Sequence, residues 1–145
     1  MYKIIRADER HRKDLDRLIR KYLRSTVGKN EPVKNYWVVR NKNKKIIACC
    51  GLEFHDGNAM LTSLAVERKY RHQGIGSAFI NHRLKIARQR KARLAALVTM
   101  YYHFNFYKRR GFKTCPRADL PEELKDYWMF TAPRYKKCAV MYRPI

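Results

Sequence analysis

The pattern of hydrophobic and polar positions along the chain changes its period several times, which predicts strands alternating with helices. Alternating or continuous apolar stretches predict strands at residues 2–6, 36–40, 45–54, 59–66, 94–99, 112–115 and 138–142. Apolar residues three and four apart predict helices that begin near Asp8 or Glu9, at 74–90, at 101–110 and at 120–128. This order predicts an α/β (α+β) fold in which helices cover both faces of a mixed sheet.

Two of the predicted helices carry enough apolar residues to define the face they bury. In the first, these positions are Leu15, Leu18, Ile19, Tyr22 and Leu23. In the second, they are Ile75, Ala78, Phe79, His82 and Ile86. Between the first helix and the second strand, residues 25–34 contain Gly28 and Pro32 and have no periodicity, so we predict a loop that faces a substrate.

Two glycines mark the ends of predicted elements. Asp56-Gly57 separates the third and fourth strands, and glycine accepts the positive φ that a tight hairpin requires. Gly111 follows the aromatic helix at 101–110, where a glycine commonly ends a helix.

The length of the chain, 145 residues, fits one compact domain, so we predict a single domain over residues 1–145. Hydrophobic residues make up 46% of it, which is enough for a sizeable core. Its apolar stretches are shorter than the roughly 18–20 residues that cross a bilayer, and the first is too short for a signal peptide. We therefore expect a cytoplasmic protein with no membrane partner.

The charge of the chain is strongly unbalanced, with 34 lysines and arginines against 12 aspartates and glutamates and a formal net charge of +22. Such a field attracts nucleic acid, the ribosome or a phosphate-bearing cofactor, although a solvated basic surface accounts for it equally well. An RNA-contacting helix would use the basic residues Arg83, Lys85, Arg88, Arg90, Lys91 and Arg93.

The four cysteines lack the spacing of a metal site, and we predict no metal. Cys49 and Cys50 are adjacent, so they point to opposite faces of a strand, and we expect buried, reduced thiols. Cys115 and Cys138 lie on predicted strands near the C-terminus, which leaves a disulfide between them open.

The loop between the fourth strand and the second helix has the composition of a phosphate-binding site. Basic residues Arg68, Lys69 and Arg71 follow the strand, and Gly74 and Gly76 open the helix. The first turn of a helix has unpaired N–H groups and a partial positive charge, and glycine lets an anion approach them. A Walker loop and a complete dinucleotide fingerprint are both missing, so the loop alone also fits an ordinary turn.

Two signatures in this order resemble those of the GCN5-related N-acetyltransferase (GNAT) superfamily. Residues 71–76 read Arg-His-Gln-Gly-Ile-Gly and match its pattern R/Q-x-x-G-x-G/A, and residues 106–112 resemble its signature Y-x-x-x-G-F. The separation between Gly76 and Tyr107 leaves room for one helix, one strand and a short helix. The resemblance implies a mostly antiparallel sheet with a splayed central pair of parallel strands, acetyl-CoA as co-substrate, and direct acetyl transfer to a primary amine.

By this resemblance, acetyl-CoA lies between the fourth strand and the strand at 94–99. Backbone groups of the fourth strand pair with its pantetheine arm, an amide near Leu64 stabilises the oxyanion, and loop amides hold the pyrophosphate. The expected cofactor-binding residues are Leu64, Ala65, Val66, Arg71, His72, Gln73, Gly74, Ile75, Gly76 and Ser77.

Tyr107 matches the position of the family's general acid, which protonates the departing thiolate of CoA. The general base is open, because residues 58–63 lack the glutamate that many relatives carry on the strand before the loop. Glu53 on the preceding strand is our candidate, and His55 is an alternative. His103 and Tyr101 are further residues that would line the acceptor side.

The C-terminal third resembles the acetyltransferase domain of N-acetylglutamate synthase through residues 110–112, 119–122 and 134–137. This resemblance implies that the acceptor is the α-amine of an amino acid such as glutamate, whose carboxylate Arg134 and Lys136 would hold. A protein N-terminus, such as that of a ribosomal protein, is the alternative acceptor, and a non-catalytic nucleic-acid-binding module is a third interpretation. The sequence also leaves a homodimer open.

Overall fold

The structure, a computed structural model, describes residues 2–23 and 31–145. Its strands are β1 (Ile4–Arg6), β2 (Tyr36–Arg40), β3 (Ile46–His55), β4 (Asn58–Val66), β5 (Leu94–Thr99), β6 (Lys113–Cys115) and β7 (Ala139–Pro144). Its α-helices are α1 (Arg12–Leu23), α2 (Ile75–Gln89), α3 (Phe104–Lys108), α4 (Glu122–Lys125) and α5 (Trp128–Thr131). Within the described residues, the predicted order of strands and helices is confirmed.

The strands pair in the order β1-β2-β3-β4-β5-β7-β6. In the described part of the chain, the parallel pairing is that of β4 with β5, through Ala59 with Ala95 and Met60 with Ala96. β5 continues to Thr99 and pairs antiparallel with β7 along its whole length. The prediction of a mostly antiparallel sheet with a central parallel pair is confirmed.

The chain divides into two compact units, and β3 and β4 contribute to both. The first unit comprises Met1–Leu52 and Thr62–Arg83, and the second comprises Glu53–Leu61 and Leu84–Ile145. The buried core of the first unit contains Ala7, Leu15, Leu18, Ile19, Val33, Tyr36, Val38, Ile46, Cys49 and Ala65. That of the second contains Met60, Ala96, Leu120, Leu124, Tyr127, Met129, Phe130 and Val140.

The predicted apolar face of α1 is confirmed, because Leu15, Leu18 and Ile19 are buried and Tyr22 and Leu23 pack against the same core. The helix predicted to begin near Asp8 or Glu9 begins with a 3-10 turn and becomes α-helical at Arg12. Asp8 precedes a 3-10 turn, Glu9–His11, and its carboxylate accepts a hydrogen bond from the Arg10 amide at 2.9 Å. Such a bond satisfies one of the amides that the first turn leaves unpaired.

The predicted turns agree with the backbone where the structure describes them. Asp56 and Gly57 have φ values of 46° and 79°, as a tight hairpin requires. Gly111 has a φ of 86° and follows α3. Of the predicted loop at 25–34, residues 25–30 lie outside the described residues, and Val33–Asn35 form a 3-10 turn.

Two predicted helices are shorter in the structure. The helix expected at 101–110 begins with a 3-10 turn, Tyr101–His103, and only α3 is α-helical. The helix expected at 120–128 is divided into α4 and α5, because Tyr127 between them is extended, with a φ of −63° and a ψ of 135°. This break lets the Tyr127 ring enter the core of the second unit.

The predicted buried face of α2 is partly wrong. Ile75 and Phe79 are buried as expected, but Ala78 is exposed and His82 and Ile86 are only half-buried. The buried positions also include Ile80, Arg83, Leu84 and Ala87. The buried face is therefore rotated from the predicted one, and a hydrogen-bonded arginine takes one of its positions.

Arg83 is 1% exposed and donates hydrogen bonds to backbone carbonyls. Its Nη1 donates to the oxygens of Gly51 at 3.0 Å and Thr62 at 3.2 Å, and its Nε donates to that of Phe79 at 3.3 Å. Arg83 thereby ties β3 to β4 next to Ser63, whose φ of 53° interrupts the strand. A buried Arg83 does not contact nucleic acid, so that part of the predicted RNA-contacting helix is wrong.

All four cysteines, each within the described residues, are free thiols. Cys49 and Cys50 are buried, and burial raises the pKa of both, that of Cys50 to about 11. The disulfide left open between Cys115 and Cys138 does not form, and the Cys138 Sγ instead lies 3.6 Å from the Met100 Sδ. None of the described helices has both the length and the apolar content that crossing a membrane requires.

Replacing Arg83 with alanine should lower the free energy of unfolding by about 3 kcal/mol, because buried carbonyl groups lose their donor and a cavity remains. Replacing Lys85, an exposed residue of the same helix, with alanine should change it by less than about 0.5 kcal/mol. Guanidinium denaturation followed by circular dichroism measures both values. Equal stabilities of the two variants would contradict the structural role of Arg83.

Candidate active site

The loop after β4 is shaped by two residues in the left-handed region. It begins with a 3-10 turn, Arg68–Tyr70, and continues through exposed residues 71–74. His72 and Gly74 have φ values of 64° and 84°, and an added Cβ at Gly74 would meet no atom within 4 Å. The positive φ at position 74 therefore favours glycine, and the space next to its Cα is open to solvent.

The start of α2 offers backbone amides that the helix itself does not use. The Ala78 amide donates to the Gly74 carbonyl at 3.0 Å. The amides of Ile75 and Gly76 precede this bond and have no carbonyl acceptor within the helix. Ile75 is buried, while Gly76 and Ser77 are half-buried. This arrangement at a helix N-terminus favours an anion.

Two predicted cofactor-binding side chains are held by neighbours in the first unit. The Arg71 Nε donates to the Val66 carbonyl at 3.0 Å, and its guanidinium lies 4.9 Å from the centre of the Tyr22 ring. The Gln73 Oε1 accepts a hydrogen bond from the Tyr2 hydroxyl at 2.6 Å. Arg71 therefore braces the end of β4, which its position in the sequence motif did not predict.

Tyr22 joins α1 to the same loop. Its hydroxyl donates to the Glu67 Oε1 at 2.7 Å and accepts from the Arg68 amide at 3.1 Å. Burial raises the pKa of Glu67, but hydrogen bonds from Tyr22 and Lys21 outweigh it and lower the pKa below its usual value. Sequence reasoning placed Tyr22 in the apolar face of α1 and missed this role, for which the sequence offers no signal.

The end of β4 departs from regular alternation. Ser63 has a φ of 53°, and Ser63 and Leu64 are both half-buried, whereas Ala65 is buried and Val66 is half-buried. A left-handed residue inside a strand changes the local direction of the backbone. Leu64, the residue whose amide we predicted at the oxyanion, directly follows this change of direction.

A second group of predicted site residues lies in the second unit around Glu53. The Glu53 Oε1 accepts a hydrogen bond from the Tyr127 hydroxyl and another from the Trp128 Nε1 at 3.0 Å. Tyr127 is buried, whereas the Trp128 side chain is 38% exposed. Both donors reach the same oxygen, so the carboxylate is fixed in one orientation at the edge of a surface.

His55, the alternative base, is held by its own contacts. Its Nε2 lies 3.0 Å from the Glu123 carbonyl, and its ring centre lies 5.1 Å from that of Tyr127. A carbonyl only accepts hydrogen bonds, so the Nε2 atom carries the proton and donates it. This bond orients the imidazole toward Glu123 and leaves Glu53 as the better candidate.

Arg134 lies beside Trp128, which also contacts Glu53. Its guanidinium is 5.8 Å from the Trp128 ring centre and 4.9 Å from that of Tyr135. A cation at this distance from aromatic faces is stabilised without a carboxylate partner. Arg134 lies in the 3-10 turn Pro133–Tyr135, and the exposed Lys136 directly follows this turn.

Arg117 supports the segment that carries these residues. Its guanidinium donates to the carbonyls of Phe130, Tyr135 and Cys138, each at 2.9 Å. Sequence reasoning missed Arg117, and it also missed Tyr127 and Trp128, which hold Glu53. No local pattern marks an arginine that binds distant carbonyls.

Tyr107 is 9% exposed and packs among aromatic rings of the second unit. Its ring meets those of Phe106 and Phe112 edge to face, with centres 5.1 Å and 5.8 Å apart. Tyr101 and His103 are exposed on the preceding 3-10 turn, Tyr101 by 74%. Within the described ranges 2–23 and 31–145, His, Cys, Asp and Glu side chains form no group of three or more that would hold a metal ion.

Comparison with known families identifies one match. Residues 32–114 match the family model described as the acetyltransferase (GNAT) domain. This range covers more than half of the chain and includes Glu53, Tyr107 and the loop between β4 and α2.

Solved structures share this fold over nearly all of the chain. N-acetylglutamate synthase from Neisseria gonorrhoeae, complexed with coenzyme A and N-acetyl-glutamate, has a TM-score of 0.81 and 15% identity over 99% of this chain. The match covers 35% of the synthase, so the chain spans about a third of that protein.

Two further structures match along their whole length. Rv2747 from Mycobacterium tuberculosis, in complex with CoA, has a TM-score of 0.80 and 18% identity, with 99% of each chain covered. A GNAT-family acetyltransferase from Staphylococcus aureus MU50 has a TM-score of 0.78 and 18% identity, also with 99% of each chain covered. At these identities the likeness establishes the fold.

Proposed function

The chain belongs to the acetyltransferase (GNAT) domain family, and we propose that it transfers an acetyl group from acetyl-CoA to the α-amine of an amino acid. The observation that carries this proposal is the contact of Trp128 with both Glu53 and Arg134. An α-amino acid bears an ammonium and a carboxylate on one carbon. A carboxylate and a guanidinium that both lie next to one indole complement that pair of charges.

Acetyl-CoA binds through the first unit in this proposal. Amides at the start of α2, those of Ile75 and Gly76 among them, hold the pyrophosphate, and Arg68 and Lys69 add positive charge. Backbone groups of Leu64 and Val66 pair with the pantetheine arm as a neighbouring strand would. The glycines at 74 and 76 keep side chains away from the phosphates.

Glu53 is the general base of the proposed reaction. A hydrogen bond from Trp128 and another from Tyr127 fix its Oε1, so the Oε2 takes a proton from the acceptor ammonium, directly or through a water. The freed amine attacks the thioester carbonyl carbon and forms the new C–N bond. Arg134 holds the carboxylate of the acceptor during this step.

A backbone amide and a phenol stabilise the negative charges that develop on the carbonyl oxygen and on the sulfur of CoA. The carbonyl oxygen becomes an oxyanion, which the Leu64 amide stabilises. The C–S bond then breaks, and the Tyr107 hydroxyl donates its proton to the departing thiolate of CoA. The attacking nitrogen gives up its second proton, which restores the Tyr107 phenol, and the neutral amide is released. The amine bonds directly to the acetyl carbon, so no acetyl-enzyme forms. A single domain over residues 1–145 and a cytoplasmic location stay predictions.

Acetyl-CoA should raise the melting temperature of the protein, because a ligand at 100 times its dissociation constant stabilises the folded state by about 2.7 kcal/mol. Gly76→Glu should abolish this rise by placing a carboxylate where the pyrophosphate binds. Lys85→Glu is the matched control: it places a carboxylate at an exposed position of the same helix, more than two turns beyond the loop, so the rise should remain. A rise that survives in Gly76→Glu contradicts the proposed phosphate site.

Tyr107→Phe and Glu53→Gln should each lower kcat by about 10²- to 10⁴-fold while the KM for acetyl-CoA stays within about threefold, because each removes a proton-transfer group. Tyr102→Phe, which removes an exposed hydroxyl, is the control and should match the unmodified protein. Wild-type turnover in Tyr107→Phe across pH would refute the general-acid assignment.

Arg134→Gln should raise the KM for an amino acid such as glutamate by about 10- to 100-fold, because it removes a charge-assisted hydrogen bond to the substrate carboxylate. The KM for the corresponding α-carboxamide should stay unchanged, as should both values in the control Lys113→Gln, an exposed residue of β6. Acceptors screened with acetyl-CoA should include free amino acids, peptide N-termini, polyamines and aminoglycosides. Peptide N-termini as the best acceptors would overturn the amino-acid proposal and leave the acetyltransferase assignment intact.

A further inference from the structure

The first unit contains a groove whose lining residues have no assigned role in the proposed acetyl transfer, although the Tyr2 hydroxyl donates to Gln73 of the loop after β4. The groove has a volume of about 710 Å³. Its lining includes four basic residues and two tyrosines, which define what we call the basic groove: Lys3, Arg40, Lys42, Lys44, Tyr2 and Tyr70. The remaining lining residues are one isoleucine and two asparagines, so no carboxylate faces the groove.

The positive charge of the basic groove is uncompensated. Among the described residues, none of its four cations takes part in an ion pair. The carboxylates of the first unit that form ion pairs lie elsewhere, at Asp8, Glu9, Asp14, Asp16 and Glu67. The potential inside the groove is therefore strongly positive and attracts anions.

The walls of the basic groove are fixed by hydrogen bonds. The Asn41 Oδ1 accepts from the amides of Asn43 at 2.9 Å and Lys45 at 3.0 Å, and this holds the turn between β2 and β3. The Asn41 Nδ2 donates to the Tyr70 hydroxyl at 3.0 Å, which joins that turn to the opposite wall. The rings of Tyr2 and Tyr70 meet edge to face, with centres 6.4 Å apart.

We propose that the basic groove binds single-stranded nucleic acid. Its cations contact successive phosphates, and its two half-buried tyrosines offer ring faces to a base. The volume suits a segment of one or two nucleotides, since pockets of about 300–1,000 Å³ hold ligands of that size. A bilayer surface is too flat to enter a concave groove. An acidic peptide has no bases that would stack on the tyrosine rings.

The test measures the binding of a fluorescent 12-nucleotide single-stranded RNA, followed by anisotropy over a series of salt concentrations. The groove variant carries Lys3→Gln, Arg40→Gln, Lys42→Gln and Lys44→Gln. Its affinity should fall at least tenfold, and the slope of log K against log salt should decrease by about 3, because a single strand releases roughly 0.7 counterions for each phosphate that a protein cation neutralises. Lys42→Gln with Lys44→Gln alone should give about half of that change in slope.

The matched control carries Lys13→Gln, Lys108→Gln, Arg109→Gln and Lys113→Gln, which remove the same charge from exposed positions outside the groove. It should keep its affinity within about threefold and its salt slope within about one. Equally weakened binding in the two variants would overturn the proposal, because net charge and not the groove would then govern binding.

Two competitors test the identity of the occupant. Coenzyme A at saturation should leave the RNA bound, and displacement would overturn the proposal by assigning the groove to the coenzyme. A polyglutamate peptide of equal charge should bind at least tenfold more weakly than the RNA. Equal binding of the peptide would likewise overturn the proposal in favour of an acidic protein segment.

Discussion

The hydrogen bonds of the buried Arg83 guanidinium are the interaction on which the backbone that we propose to bind the coenzyme depends. A charge in a core must be compensated, and here carbonyl oxygens of β3, β4 and α2 take the place of a carboxylate. One of them belongs to Thr62, which directly precedes Ser63 and its positive φ. The backbone that we assign to the coenzyme follows this point, so a side chain of α2 sets the direction of the end of β4.

The second unit also contains a segment whose backbone carbonyls are bound by an arginine. Between β6 and β7 the chain contains only short helices and turns, so few of its carbonyls are satisfied by neighbouring strands. Arg117 satisfies three of them and thereby positions the stretch that carries Trp128 and Arg134. Trp128 in turn contacts Glu53 on β3. In both units an arginine without a carboxylate partner organises the backbone around a proposed functional residue.

Local patterns predicted what depends on neighbours in sequence. The apolar runs of β2 and β5 predicted strands at 36–40 and 94–99 as observed, and Asp56-Gly57 predicted the hairpin. The motif at 71–76 is also local, since it needs glycine at a positive φ before a helix. Glu53 contacts Tyr127 and Trp128, which lie 74 and 75 positions further along the chain, and no local pattern in the sequence predicts these contacts. The predicted buried face of α2 omitted Arg83 because a charged side chain is expected to be exposed. Hydrogen bonds to backbone carbonyls allow this one to be buried.

The distribution of charge explains why a net charge of +22 does not by itself indicate a function. Ion pairs use most of the carboxylates, and those of the first unit lie mainly on α1 and at Glu67. Positive charge in that unit remains at the start of α2 and in the basic groove. At the start of α2 it comes from backbone amides, and in the basic groove it comes from lysine and arginine side chains. Backbone donors at a helix terminus suit one compact diphosphate, whereas mobile lysines around a concave wall suit a chain of spaced phosphates. The geometry of the donors, more than the sum of charges, therefore separates a coenzyme site from a polyanion site.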